Sequence, residues 1–337
     1  MLEYRKVLFP KAKECLVVND NIEDVDIPDG KLLIKTIYSQ VSCGTETACY
    51  RDIEIWFKLP NTPGYSAVGE VVAKADGVTR FNVGDKIFFR GKHAEYQYIS
   101  EDDNAVLLPE GIDVMMAPNA RLFAIAMTAL RVSRIELGDN VLVVGQGIIG
   151  NAAAQLAQLQ GATVAVMDVD ESRLELSRKC GLGRTILSKG LDNPVEAVRE
   201  IFKGEMPSTV FDATGIPSVI DQSIDYVKTD GTYVLLGSPR GDCQGNITHF
   251  QQHIHRYIHR VSVIGAHEQM CPVREMPYVK HSCERNQKIC LDLIRDGKLI
   301  VRPLVTHVLS PEEAPVVYRE LDKRNPDYVG IIFDWSK

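Results

Sequence analysis

The chain of 337 residues is 45% hydrophobic and 25% charged, a globular composition with enough length for two domains that each bury a full core. No run approaches the roughly 18 to 20 apolar residues of a membrane span, the opening "MLEYRK" is charged where a secretory signal is apolar, and a net charge of −7 gives no basic field to hold a phosphate backbone. The expectation is a cytoplasmic protein with no membrane or nucleic-acid partner, whose eight scattered cysteines, without a C-x-x-C pair, stay free thiols in a reducing compartment.

Up to about residue 117 the text consists of short β-like runs broken by turn residues: "KLLIKTIYSQVSCG", "AVGEVVAKADG", "GDKIFF", "AEYQYIS" and "NAVLLPEG". This reads as an all-β domain. From about residue 118 the pattern alternates, with an apolar helix "RLFAIAMTALRVSRI", a strand "NVLVVG", a helix "NAAAQLAQLQG" and a strand "TVAVMDVD". The strand-like runs "STVFDAT", "TYVLLGS" and "VSVIGAH" follow, with helical text such as "PSVIDQSIDYVKTDG" between them. Strands separated by helices predict a parallel sheet. A helix "CERNQKICLDLIRDGKL" closes this region, and the tail through "YVGIIFDW" is expected to rejoin the first domain. The predicted domains are therefore 1–117 with 298–337, and 118–297.

The clearest chemistry is central. "NVLVVGQGIIGNAAAQLAQLQGATVAVMDVD" sets Gly145, Gly147 and Gly150 in G-x-G-x-x-G spacing between an apolar strand and a helix. Such glycines let the backbone turn tightly and approach a pyrophosphate, while the helix start at Ile148 and Ile149 offers free N–H groups to its charge. Asp168 ends the next strand, about 20 residues on, where a carboxylate accepts hydrogen bonds from both adenosine ribose hydroxyls. A 2'-phosphate there meets like-charge repulsion, and no Arg or Lys comes directly after Asp168, so NAD is favoured over NADP. Arg173 keeps the alternative open.

Over nearly its whole length the chain resembles the medium-chain dehydrogenase/reductase superfamily, in its zinc-type alcohol and polyol dehydrogenase branch. The resemblance rests on "VSCGTE", "PGYSAVGEVV", "NVGDKI", "AEYQYI", the glycine motif, "FDATG" and "GTYVLLG". It implies an α/β protein, a Rossmann doubly wound parallel sheet plus a GroES-like β-barrel domain, with the active site in the cleft between the domains. It also implies that Thr214 and Gly237 border the dinucleotide. The "C-G-T-E" and "P-G-Y-S-x-V-G" variants resemble a side branch of bacteriochlorophyllide dehydrogenases and sugar or glycoside dehydrogenases.

Zinc members of that family hold the metal by a Cys in C-x-T-[DE], a His in G-H-E and a Cys or Glu in the segment leading into the Rossmann domain. Cys43 fits the first position, Tyr65 and Ser66 replace the second and its neighbour, and Arg121 or Ala124 falls at the third. A neutral phenol is a poor zinc ligand beside imidazole. The four-cysteine lobe of the family's structural zinc is also missing from "GDKIFFRGKHAEY". The chain therefore reads as zinc-free, with Cys43 as a residual candidate that can combine with Glu46 and His93 in an unorthodox site.

Without zinc, hydrogen-bond donors and a positive charge must stabilise the alkoxide. Thr45, Tyr65, His93 and Arg121 are the candidates, with Tyr65 and His93 expected to exchange the proton. Each has a plainer alternative: Thr45 caps a helix, Tyr65 packs, His93 faces solvent, or Arg121 makes a salt bridge. The polar segment with His249, Gln251, Gln252, His253, His255, Arg256 and His259 suits a polyhydroxylated ligand or a solvated helix face, and the i, i+4 pair His255 and His259 is a weak metal signal. The leading function is an NAD-dependent oxidoreductase at a secondary alcohol or ketone of a sugar, cyclitol or glycoside. The alternatives are a zinc-free enoyl or quinone reductase and a non-enzymatic dinucleotide-binding protein. The apolar run Val261 to Gly265, last in the β-α series, predicts a homodimer joined edge to edge.

Overall fold

A computed structural model describes residues 1–23 and 27–337. They fall into two compact units, Met1–Arg121 with Cys271–Gly297 and Leu304–Lys337, and Leu122–Met270 with Lys298–Pro303.

The first unit is built on β3 (Lys31–Val41). Its residues alternate, with Leu32, Ile34 and Thr36 buried and Lys35 exposed, the period of two that gives a strand one apolar face. The run is long enough to pair with three partners at once. β4 (Ala67–Lys74) lies along it, and β6 (Tyr96–Ser100) takes its first half. β15 (Ile331–Asp334), from the end of the chain, takes its second half. Register shifts beside Ile34 and Tyr38 bend the strand between these pairings. β5 (Lys86–Phe89), β7 (Ala105–Leu107) and β14 (His307–Leu309) complete the sheet. Leu32, Ile34, Val71, Phe81, Ile87 and Phe89 fill one core. A second core, around Phe9, Tyr50, Phe57, Tyr318, Phe333 and Trp335, lies under α1 (Cys43–Tyr50) and α9 (Ala314–Asp322).

Two features lie outside the predicted elements, and the second, a helix, departs from the all-β expectation. β1 (Leu2–Leu8) and β2 (Leu16–Ile22) form an antiparallel hairpin, whose mostly half-buried residues carry little alternation for sequence reading to find. The other is α1, which occupies the turn after β3.

The second unit is a parallel sheet of β8 (Asn140–Val144), β9 (Thr163–Asp168), β10 (Thr185–Leu187), β11 (Thr209–Asp212), β12 (Thr232–Leu235) and β13 (Ser262–Gly265). Its spatial order, β10-β9-β8-β11-β12-β13, is the doubly wound order, reversing at β8 where ligands bind beyond the strand ends. α2 (Ala120–Ser133) leads into it, and α3 (Ile148–Leu159), α4 (Glu171–Lys179) and α5 (Pro194–Ile201) connect its first strands. The text "PSVIDQSIDYVKTDG" is not one helix but α6 (Ile220–Ser223) between two 3-10 turns, Pro217–Val219 and Ile224–Tyr226. α7 (Ile247–His255) then leads to the edge strand β13.

The boundary near residue 297 differs from the predicted one. α8 (Cys283–Arg295) clusters with the first unit, because its Glu284 carboxylate accepts a hydrogen bond from the Arg80 guanidinium at 2.5 Å and the helix packs on β7. Residues 298–303 belong instead to the second unit, where the Gln155 side chain holds Ile300 by both its N–H and its carbonyl at 2.7 and 2.9 Å. Among the described residues no helix is long and apolar enough to cross a membrane.

Candidate functional site

The glycine turn after β8 is shaped by contacts that exclude side chains. Gly145 has φ +90°, and a Cβ on Gly150 meets the Gly145 carbonyl oxygen at 1.8 Å, so α3 can start this close to the strand only with glycine there. α3 begins at Gly147 without a side-chain cap, leaving the first N–H groups, including those of Ile148 and Ile149, directed at the turn. Thr214 closes the other side. Its N–H and hydroxyl both donate to Asp212 Oδ1, at 2.9 and 2.6 Å, and its methyl group stands 2.9 Å from where a Gly145 Cβ would lie. Gly237 packs as closely, with a Cβ there 2.3 Å from the Gly215 nitrogen. Burial raises the pKa of Asp212 against the pull of its Thr214 and Tyr233 hydrogen bonds.

Asp168 ends β9 with 8% of its surface exposed. Its Oδ2 accepts the Gln146 N–H at 2.6 Å and its Oδ1 the Asp170 N–H at 3.0 Å. The carboxylate thus fixes the glycine turn while its remaining lone pairs stay available to a ribose diol. Arg173, half-buried on α4, holds its guanidinium 3.6 Å from where a Gly147 Cβ would lie. The structure therefore brings Gly145, Gly147, Gly150, Asp168, Arg173, Thr214 and Gly237 around one turn, an arrangement that fits an adenine dinucleotide.

In the first unit the candidates separate into two groups. His93 does not face solvent: it is 0% exposed, its Nδ1 lies 2.7 Å from Ser39 Oγ and its Nε2 2.9 Å from Glu46 Oε2. The Glu46 carboxylate, 1% exposed, also accepts the Tyr318 hydroxyl at 2.5 Å and the Ser42 N–H at 2.8 Å. Ser39 Oγ in turn accepts the Trp335 indole N–H at 2.9 Å. With the His93 proton on Nε2, every polar atom of this network has a partner. Burial, then Glu46, hold the Tyr318 phenol well above its usual range. Both His93 ring nitrogens are committed, so the expected exchange of a proton with Tyr65 is corrected: His93 supports the site from behind Gly64. That glycine has φ +102° and leaves no room for a Cβ, which would stand 2.6 Å from the His93 nitrogen.

Tyr65 is half-buried and donates to Ser42 Oγ, and the Thr45 hydroxyl also hydrogen-bonds the phenol. The Arg121 guanidinium, 2% exposed, lies over its ring at 5.8 Å from the centroid. Burial raises the Tyr65 pKa, opposed by the Ser42 and Thr45 hydrogen bonds and by the Arg121 charge. Tyr65 lines a pocket of about 180 Å³ with Trp56, Asn61, Thr62, Arg90 and Lys92. Cys43 turns its thiol to the Val329 carbonyl at 3.3 Å, and among the described residues Cys43, Glu46 and His93 do not form a metal-sized group. Ser42, Ser39, Tyr318 and Trp335 were not flagged by sequence reading.

Two family models match: "Alcohol dehydrogenase GroES-like domain" over residues 28–112 and "Zinc-binding dehydrogenase" over residues 149–276. L-threonine 3-dehydrogenase of Idiomarina loihiensis is 30% identical over 256 residues, 64% of this chain and 73% of that protein. The chain belongs to the zinc-type medium-chain dehydrogenase/reductase superfamily. L-galactonate-5-dehydrogenase of Escherichia coli, another relative, is 28% identical over 250 residues, covering 66% of this chain and 73% of that one. A solved structure from Sinorhizobium meliloti, assigned as a zinc-binding dehydrogenase and bound to NADP, superposes with TM-score 0.81 at 21% identity, covering 99% of this chain and 100% of that one. Members of the superfamily are dinucleotide-dependent oxidoreductases of alcohols and polyols.

The close approach of α3 to the glycine turn makes a direct prediction. Gly150→Ala forces the turn and helix apart at a cost of about 1–3 kcal/mol, so dinucleotide affinity, followed by fluorescence titration, falls about tenfold or more. Unchanged affinity would show that the turn is not the binding site.

Proposed function

We propose that this member of the superfamily is an NAD-dependent dehydrogenase acting, without catalytic zinc, on a secondary hydroxyl or ketone of a sugar, cyclitol or glycoside. The observation that carries this reading is what stands at the second of the family's three metal-ligand positions and beside it: Cys43 keeps the first, but the second is the Tyr65 phenol, backed by two hydroxyls, with the guanidinium of Arg121, a candidate for the third beside Ala124, over its ring. An arginine has no lone pair to give a metal and repels a cation, so the residues present do not fit zinc. A bound nicotinamide supplies the hydride acceptor for alcohol oxidation. Tyr65 takes the hydroxyl proton as the carbonyl forms and returns it in reduction, Ser42 and Thr45 stabilise its phenolate by hydrogen bonds, and Arg121 does so by charge. His93 and Glu46 hold α1, and with it Thr45, in position. Asn61, Thr62, Arg90 and Lys92 beside Trp56 line a pocket whose donors and acceptors suit several adjacent hydroxyls, and the galactonate-oxidising relative supports that substrate class.

Asp168 supports NAD, and the Arg173 guanidinium beside Gly147 favours NADP and with it the enoyl or quinone reductase alternative. Asp168→Ser is expected to reduce the preference for NAD over NADP in kcat/KM about tenfold or more, the energy of a charge-assisted hydrogen bond. Equal use of both cofactors by the unmodified protein would reject the NAD reading.

The proton role of Tyr65 has its own signature. Because its pKa is raised, the phenolate is a minor species at neutral pH, and alcohol oxidation should accelerate about tenfold per pH unit through the alkaline range while ketone reduction stays level. Tyr65→Phe keeps the ring, lowers kcat about 100-fold or more and abolishes that slope. A Phe variant within twofold of the parent returns Tyr65 to packing.

The edge position of β13, with Ser262 and Gly265 exposed, supports a two-fold homodimer that pairs this strand with its copy. Light scattering at micromolar concentration should give twice the 37.5 kDa chain mass, and a single-chain mass rejects the dimer.

A further inference from the structure

The histidine-rich segment after β12 has a solvated side, with Gln251, His255 and Arg256 exposed, and a second side where His249 and His253 turn inward. His255 is exposed, and His259 stacks on His253 with centroids 4.2 Å apart. Among the described residues, the group of His, Cys, Asp and Glu that can close around a metal ion is Asp225, His249 and His253, with ligand atoms all within 4.8 Å of one another. The two histidines stand i, i+4 on α7, which places both rings on one face. Asp225 comes from the turn Ile224–Tyr226, which packs against that helix.

Hydrogen-bond bookkeeping at the ring nitrogens is what calls for a cation. His253 is 5% exposed, and its Nδ1 lies 3.1 Å from the His249 main-chain oxygen. A carbonyl can only accept, so Nδ1 carries the hydrogen. The neutral ring then has only a lone pair on Nε2, and this faces another acceptor, Asp225 Oδ1, at 2.8 Å. His249 Nε2 lies 3.1 Å from the same Oδ1, and its Nδ1 is 3.7 Å from Asp221 Oδ1, beyond hydrogen-bond reach. Both Nε2 atoms thus converge on Asp225, and the His253 ring is oriented by the carbonyl behind it, as metal-bound histidines are.

The His253 contact needs positive charge, either a proton on that ring or one metal ion shared by all three groups. A shared ion answers both Nε2 lone pairs and the carboxylate at once, whereas a proton on His253 answers that ring alone, and protons on both rings, with centroids 4.6 Å apart, would repel each other. The spacings of 2.8 and 3.1 Å are slightly shorter than the edge of a tetrahedron with metal bonds of about 2.0–2.1 Å, so a small opening admits an ion.

We propose that Asp225, His249 and His253 form a binding site for a divalent transition metal, zinc above all, outside the residues assigned to the dinucleotide and to Tyr65. The ion ties α7 to the turn after α6. Because the Val261 N–H donates to the His253 carbonyl at 2.9 Å, it also steadies the entry to edge strand β13. Its role is structural and separate from the Tyr65 site.

The test is metal binding by the full chain, stripped with chelator and then dialysed against micromolar zinc or cobalt(II). The unmodified protein should retain about one ion per chain, with the visible d–d absorption of tetrahedral cobalt. His249→Gln and Asp225→Asn, at half-buried positions, should each weaken binding about tenfold or more, with circular dichroism unchanged, whereas Cys43→Ser should bind as the parent does. No ion above background in the unmodified protein overturns the proposal, as does binding that survives His249→Gln. Loss on Cys43→Ser alone would instead place a metal beside Tyr65 and sink the zinc-free reading.

Discussion

A carboxylate buried without water must have every lone pair answered, or it costs several kcal/mol. Glu46 meets that constraint by collecting one donor from the start of its own helix, the Ser42 N–H, and two from distant parts of the chain, the His93 ring before β6 and the Tyr318 hydroxyl of α9. Trp335, through Ser39 and His93, extends the network to the last strand. Loss of any one partner leaves a buried charge short, so α1, the Gly64 turn and the chain's end are held to one geometry. Cys43, Thr45 and Tyr65 take their places from that geometry.

The same network fixes the segment that carries the family's metal-ligand positions. The buried Glu46 and His93 pair and the aromatic cluster of Phe9, Tyr50 and Tyr318 make it rigid. Tyr65, with Arg121 over its ring, sits on a preset frame, the condition that electrostatic stabilisation of a developing charge requires.

In the second unit one carboxylate ties a strand end to the glycine turn. Asp168 accepts the Gln146 N–H and so sets the turn, with the Arg173 guanidinium beside the same turn at Gly147.

The sequence by itself determined the elements whose signals are local. The period of two in β3, the apolar runs of β8 and β9 and the glycine spacing depend on neighbours along the chain, and they placed the strands, the sheet type and the glycine turn with Asp168 beside it. Tertiary structure alone decided what depends on partners far apart in sequence. Whether His93 faces water or a buried carboxylate depends on Glu46, Ser39 and Trp335, which no periodicity connects. The assignment of α8 to the first unit turns on Arg80, some 200 residues away. His249 and His253 acquire a meaning only when Asp225 is folded against them, whereas the pair that spacing singled out, His255 and His259, diverges because the helix ends at His255. Local energetics select elements, but the protonation, burial and partnership of a polar side chain are set by the cost of leaving it unpaired in the core, and that cost is not defined until the chain has closed on itself.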